Sequence, residues 1–128
     1  MFKRIEDIEV WKRGCRLAVT VYQATSDGGF AHDWGLRDQI RRSAVSIPAN
    51  VAEGFERGTN AEFNHFLMIS RGSCGELRTH IYIAEAIGYF DKEQSRKLVA
   101  ECLEISSMLI GLSKTVRVRP VPDKPKKA

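Results

Sequence analysis

Apolar residues recur at alternating intervals of three and four along four separate stretches of this chain, and no stretch shows the two-residue alternation of a half-buried strand. That spacing gathers each stretch's apolar side chains on one side of a helix, which must then bury that side against a neighbour. The first stretch runs from about Ile8 to Thr25, with the seam Ile8, Trp11, Cys15, Ala18 and Tyr22, widened by Leu17 and Val21. Asp7 is its expected N-cap, and Ser26-Asp27-Gly28-Gly29 ends it. The second runs from about Trp34 to Arg57, with Leu36 and then Ile40, Ala44, Ile47 and Val51 in one row. Pro48 lies inside this row. Proline removes one backbone donor, crowds the carbonyl four residues earlier and pushes the preceding residue from helical angles. A kink near 44–48, or two short helices meeting there, is therefore expected.

The third stretch opens on Thr59 with Glu62 three residues later, the pattern of a capping box. Phe63, Leu67, Ser70, Cys74, Leu77, Ile81 and Ala84 form its seam, and Gly88 suits a left-handed cap at its end. The fourth opens on Asp91 with Gln94 at the N3 position and continues through Leu98, Cys102, Ile105, Leu109, Leu112 and Val116. Only Gly88 to Phe90 separates the third from the fourth, which makes the two an antiparallel hairpin. The prediction is an all-α, antiparallel up-down-up-down four-helix bundle over residues 1–116, its second helix kinked at Pro48.

Composition narrows the class. At 128 residues, 43% hydrophobic and 28% charged, the chain suits one domain with its own core. No apolar run reaches the length of a membrane span, and the first residues turn acidic before any apolar block, unlike a signal peptide. A soluble, cytoplasmic protein is expected. The net charge of +4 belongs entirely to residues 117–128, where Arg117, Arg119, Lys124, Lys126 and Lys127 face Asp123 alone; residues 1–116 are neutral. Three of the four prolines fall in the same segment, so it reads as a basic, disordered tail. Such a tail either contacts nucleic-acid phosphates or only keeps the chain soluble. Cys15, Cys74 and Cys102 are odd in number, lack any CxxC spacing and lie on the apolar seams, as structural thiols do.

The second helix carries a polar row as well: Gln39, Ser43, Ser46, Asn50, Glu53 and Arg57, flanked by Arg37, Arg41 and Arg42. Arg71, Ser73, Glu76 and His80 answer it on the third. Such rows are either solvated faces, or a subunit interface or inner channel built from hydrogen-bonded Ser, Asn and Glu, whose polar groups must be paired once buried.

The run from Gln39 to Gly54, QIRRSAVSIPANVAEG, resembles the signature of the four-helix bundle proteins encoded in 23S rRNA intervening sequences. So do Ile8-Glu9-Val10-Trp11-Lys12, Glu62-Phe63 with Phe66-Leu67, Arg71-Gly72-Ser73 with Glu76-Leu77, and Gly88-Tyr89. The likeness spans about residues 5–115; His80 stands where the family more often has glutamine. The resemblance implies a bacterial all-α bundle assembling as a ring-like homopentamer. It also implies relatives that serve diversity-generating retroelements by engaging a reverse transcriptase and nucleic acid, and it does not imply an enzyme. The motif residues Ser43, Ser46, Pro48, Asn50, Glu53, Gly54, Gly72, Ser73 and Glu76 are the candidates for the oligomer interface.

Two functions remain open. One is an oligomeric module for structured RNA, contacting phosphates through Arg37, Arg41, Arg42, Arg57 and the tail. The other is a protein-interaction scaffold, such as an accessory subunit for a reverse transcriptase, that does not touch RNA. Catalysis and cofactors are not expected. A di-iron bundle needs two Glu-x-x-His pairs, and the chain has one, Glu62 to His65, at a helix start where Glu62 already has a capping role. No spacing of Ser, Cys and His makes a nucleophile–base pair.

Overall fold

The computed structural model describes residues 2–116 and residue 118. The basic tail with Arg117, Arg119, Lys124, Lys126 and Lys127 lies outside the described residues. Four helices account for the fold: α1 (Glu9–Ala24), α2 (Trp34–Glu56), α3 (Asn60–Ala86) and α4 (Lys92–Thr115). Single 3-10 turns at Ile5–Asp7 and Gly28–Ala31 precede α1 and α2. Each helix packs on its neighbours in sequence, most extensively α2 on α3, and α1 closes the bundle against α4 through a thinner contact. The all-α, up-down arrangement is the one the apolar spacing predicts.

The seams of α2, α3 and α4 are buried as expected, apart from Leu36 and Leu112, which are half-buried. Ile40, Ala44, Ile47 and Val51, the whole α3 row from Phe63 to Ala84, and Leu98, Cys102, Ile105 and Leu109 form one core. Both helix starts in the second half follow their sequence signals. The Thr59 hydroxyl accepts from the Glu62 N–H at 3.2 Å, but the Glu62 carboxylate takes the Thr59 hydroxyl at 3.1 Å and not its N–H, so only half of the expected capping box forms. Asp91 accepts from the Gln94 N–H at 2.8 Å, while the Gln94 side chain takes the Asp91 N–H at 3.2 Å. Gly88 has φ +83, and the Tyr89 and Gly88 N–H groups close back onto the carbonyls of Ala84 (2.8 Å) and Glu85 (3.0 Å). That pair of bonds satisfies the open end of α3 and turns the chain into α4.

Three expectations for the first half need correction. Asp7 is not the N-cap of α1; it lies in the preceding turn, accepting from the Arg4 N–H at 3.3 Å, and Ile8 takes the cap position. The buried row of α1 is Val10, Gly14, Leu17 and Val21, with Ile8 and Ala18 beside it, whereas Trp11 and Cys15 are half-buried and Tyr22 is exposed. The cause is Gly14. A Cβ there would meet the Pro48 ring carbons at 3.2 Å, so α1 turns its smallest residue to the ridge that proline raises on α2. Finally, of the two arrangements expected at Pro48, two separate short helices are not formed: α2 runs as one helix with the proline inside it.

Candidate functional site

The polar rows of α2 and α3 face each other across one seam, and the geometry there divides into an inner and an outer layer. The inner layer is bonded. Ser70, fully buried, donates to the Ile47 carbonyl at 2.7 Å, tying α3 to α2. The hydroxyls of Ser46 and Ser73 share a hydrogen bond at 2.8 Å. The Asn50 amide donates to both the hydroxyl and the carbonyl of Ser46, each at 2.8 Å. Ser43, buried, donates to the Ile40 carbonyl at 3.0 Å and meets Nδ1 of His80 at 3.2 Å, which leaves the imidazole as donor in that second contact. Small side chains are what let two helices approach closely enough for such bonds. The closest approach is at Gly54, where a Cβ would stand 2.6 Å from Cβ of Phe66 and 3.2 Å from the Phe63 backbone.

The outer layer is an open groove of about 640 Å³, walled by Gln39, Arg42 and Ser46 of α2 and by Gly72, Ser73 and Glu76 of α3, with Ser43, Ile69 and His80 completing it. Apolar surface lines it at Ile69, 39% exposed, while Val45, 42% exposed, lines the neighbouring hollow beside Tyr22 and Arg41. A Cβ on Gly72 would meet nothing within 4 Å, although glycine in a helix interior costs about 1 kcal/mol against alanine.

The expected interface residues thus separate. Ser43, Ser46, Gly72, Ser73 and Glu76 line the groove, and Asn50 is bonded to Ser46 beside it. Pro48 and Gly54 point into the protomer's own packing, against α1 and α3. Glu53 pairs with Arg57 at 2.9 Å.

The arginines separate too. Arg41 is committed to the end of α1: it donates to the Thr25 hydroxyl at 2.8 Å and to the carbonyls of Tyr22 and Thr25 at 3.3 Å, and its guanidinium lies 4.4 Å from the Tyr22 ring centre. It therefore satisfies carbonyls that α1 leaves open, where a cation also suits the helix dipole. Arg57 bonds Glu53, reaches Glu62 at 3.6 Å and covers the Phe66 ring. Arg37 is half-buried, with its Nε buried and unbonded among the described residues. Arg42 is exposed on the groove rim and makes no hydrogen bond or ion pair among the described residues. The sequence reading passed over Arg78 on α3, half-buried with an unbonded Nε, and Arg13 of α1. Arg13 grips Glu101 through two bonds (3.0 and 2.7 Å) and Glu104 through one (2.7 Å).

Burial pushes the Cys74 thiol up to about 11 and the Cys102 thiol up to about 12, so both stay protonated and unreactive at neutral pH. His65 packs edge-on against Phe66, and Glu62 is held by Thr59 and Arg57. Among the described residues no three His, Cys, Asp or Glu side chains come together as a metal site, and no helix is long and apolar enough to cross a membrane.

A four-helix bundle whose second and third helices are joined by a hydrogen-bonded serine seam defines the class. The family model described as 23S rRNA-intervening sequence protein matches residues 6–111, and the chain belongs to that family. It is also similar in fold to the crystal structure of a protein of unknown function from the S23 ribosomal protein family of Bacteroides thetaiotaomicron. That likeness has a TM-score of 0.75 and 23% identity, covering 82% of this chain and 95% of the other. No curated protein matches the chain.

Proposed function

We propose that this chain is a non-enzymatic bundle that associates with copies of itself through the α2–α3 groove and acts, once assembled, as an accessory module for nucleic acid. The observation that carries self-association is the groove at Gly72. Its inner polar groups are bonded, the partly exposed Ile69 lines it, and among the described residues nothing lies within 4 Å of where a Cβ on its Gly72 would stand. A neighbour's side chains entering the groove would give that glycine a purpose and cover Ile69. An interface between unlike surfaces of identical chains closes into a ring where its rotation closes, and a five-fold closure would accord with the pentamer that the family resemblance implies. A non-catalytic role is supported by the state of the groups that could react. The Ser43 hydroxyl is spent on the Ile40 carbonyl, and two thiols are buried and protonated.

The test is Gly72→Arg. The site has room for the new side chain within the protomer, so the helical spectrum and melting behaviour should be retained while the particle falls to a single 14.4 kDa chain. Retention of the parent mass by a folded Gly72→Arg variant would place the interface elsewhere.

The protein-scaffold reading is favoured by one observation: Arg41 and Arg57, two of the arginines expected on phosphate, are engaged within the protomer. Binding of an oligonucleotide, measured by fluorescence anisotropy at low and moderate salt, separates the two. A scaffold without a nucleic-acid role binds at neither.

A further inference from the structure

The sequence points to α2 for phosphate contacts, but the unpaired cations and an exposed aromatic meet on a different face. Along α3, Arg71, Gly75, Arg78 and Tyr82 follow one another at intervals of four, three and four, so they share one side of the helix. Its Arg78 and Tyr82 lie toward α4. Arg78 counters the upward push that burial gives to both Cys74 of α3 and Cys102 of α4, which places its charge at the α3–α4 seam. Tyr82, 53% exposed, forms the wall of an α3–α4 groove of about 430 Å³ whose other wall is Ser95, Val99, Ala100 and Leu103, with Lys92 and Arg96 at its mouth.

Four groups of this face are unmet among the described residues. The Nε of Arg78 is buried without a hydrogen-bond partner among the described residues, and so is the hydroxyl of Ser95, a residue only 2% exposed. Arg71 and Lys92 make no hydrogen bond or ion pair there either. Against these cations the groove itself carries Glu85, while Glu93 beside it is taken up by Arg96 at 2.6 Å. A strip with an exposed aromatic ring, an apolar slot beside it and unpaired cations on both sides suits a chain that alternates flat apolar rings with negative charge. A single strand would set its bases against the ring and its phosphates against the cations.

We propose that the α3–α4 face is a binding site for single-stranded nucleic acid, with Tyr82 as the stacking platform and Arg71, Arg78 and Lys92 as phosphate contacts. This rests on the nucleic-acid part of the function proposed above and moves the contact away from Arg41 and Arg42. It leaves the α2–α3 groove free for a neighbouring copy.

The experiment is anisotropy of labelled 20-nucleotide RNA and DNA strands of mixed sequence, titrated with the full chain across a salt series. Four proteins are compared: the unaltered chain, Tyr82→Ala, Arg71→Gln with Arg78→Gln, and Arg41→Gln with Arg42→Gln, each checked for helicity. The unaltered chain should bind, with affinity falling steeply as salt rises. Tyr82→Ala should weaken binding about tenfold, as loss of one stacked base does. The Arg71/Arg78 pair should lower the log–log salt slope by about 1.4, at roughly 0.7 for each single-strand phosphate contact. The Arg41/Arg42 pair, compared at the parent's particle mass because Arg42 walls the α2–α3 groove, should bind as the unaltered chain does. Loss of binding in the Arg41/Arg42 variant, with binding intact in folded Tyr82→Ala and Arg71/Arg78 variants, overturns this site and keeps the nucleic-acid function. No binding by the unaltered chain overturns both. Should the Arg71/Arg78 variant fail to fold, Tyr82→Ala decides, since its exposed ring supports little of the core.

Discussion

The α2–α3 seam and the α1–α4 seam hold the same bundle in opposite ways. Between α2 and α3 the backbones come close: Gly54 has no room for a Cβ, and the buried Ser70 hydroxyl reaches across to the Ile47 carbonyl. Between α1 and α4 the contact is thinner and is spanned by one long side chain, with Arg13 holding Glu101 and Glu104 near the surface. The first seam depends on shape, which salt and pH hardly alter. The second depends in part on charge near water, which both alter and which is worth little per pair. The rigid seam also presents the groove, so its outer surface can be offered to a partner without the inner bonds changing.

The largest expected effect breaks the shape side of this contrast. Gly54→Leu drives a side chain into Phe66 and the Phe63 backbone and should cost about 3 kcal/mol in a urea melt, the scale of an overpacked core. A cost under 1 kcal/mol would mean that the two helices part easily there. Ser70→Ala, which keeps the volume small but removes the hydroxyl, should cost about 1 kcal/mol. That loss should be unchanged by salt.

The smallest effect sharpens the charge side. A double-mutant cycle on Arg13→Met and Glu101→Gln should give a coupling of at most about 1 kcal/mol that shrinks as salt is added, since both side chains are partly exposed. The Arg13 hydrogen bond holds the Glu104 carboxyl below its usual range. Its contribution is therefore present above the pH where the unfolded carboxyl titrates, and is lost as pH falls through the lower folded value. Stability measured from pH 6 to pH 3 should fall more steeply for the parent than for Arg13→Met; parallel curves would show that the clamp carries no linkage.

The helices were legible because each apolar row and most caps are local patterns. All seven residues of the α3 seam, from Phe63 to Ala84, are buried as the spacing requires, and Thr59, Gly88 and Asp91 act where their chemistry places them. What the sequence hid was set by partners far along the chain. Gly14 reads as a helix weakener until Pro48 is seen against it, and that contact is what rotated the α1 seam away from Trp11 and Tyr22. Arg41 reads as a free cation because nothing near it in sequence says that Thr25 will stand within 2.8 Å. The serine and asparagine row of α2 was legible as a polar face. Its division into a bonded inner layer and an open groove depends on α3 lying alongside.

The most direct test of the account is the solution mass of the unaltered chain, taken by sedimentation equilibrium across micromolar concentrations. A defined multiple of 14.4 kDa, five copies if the ring is that of the family resemblance, is expected over the whole range. A particle of 14.4 kDa at every concentration would contradict it.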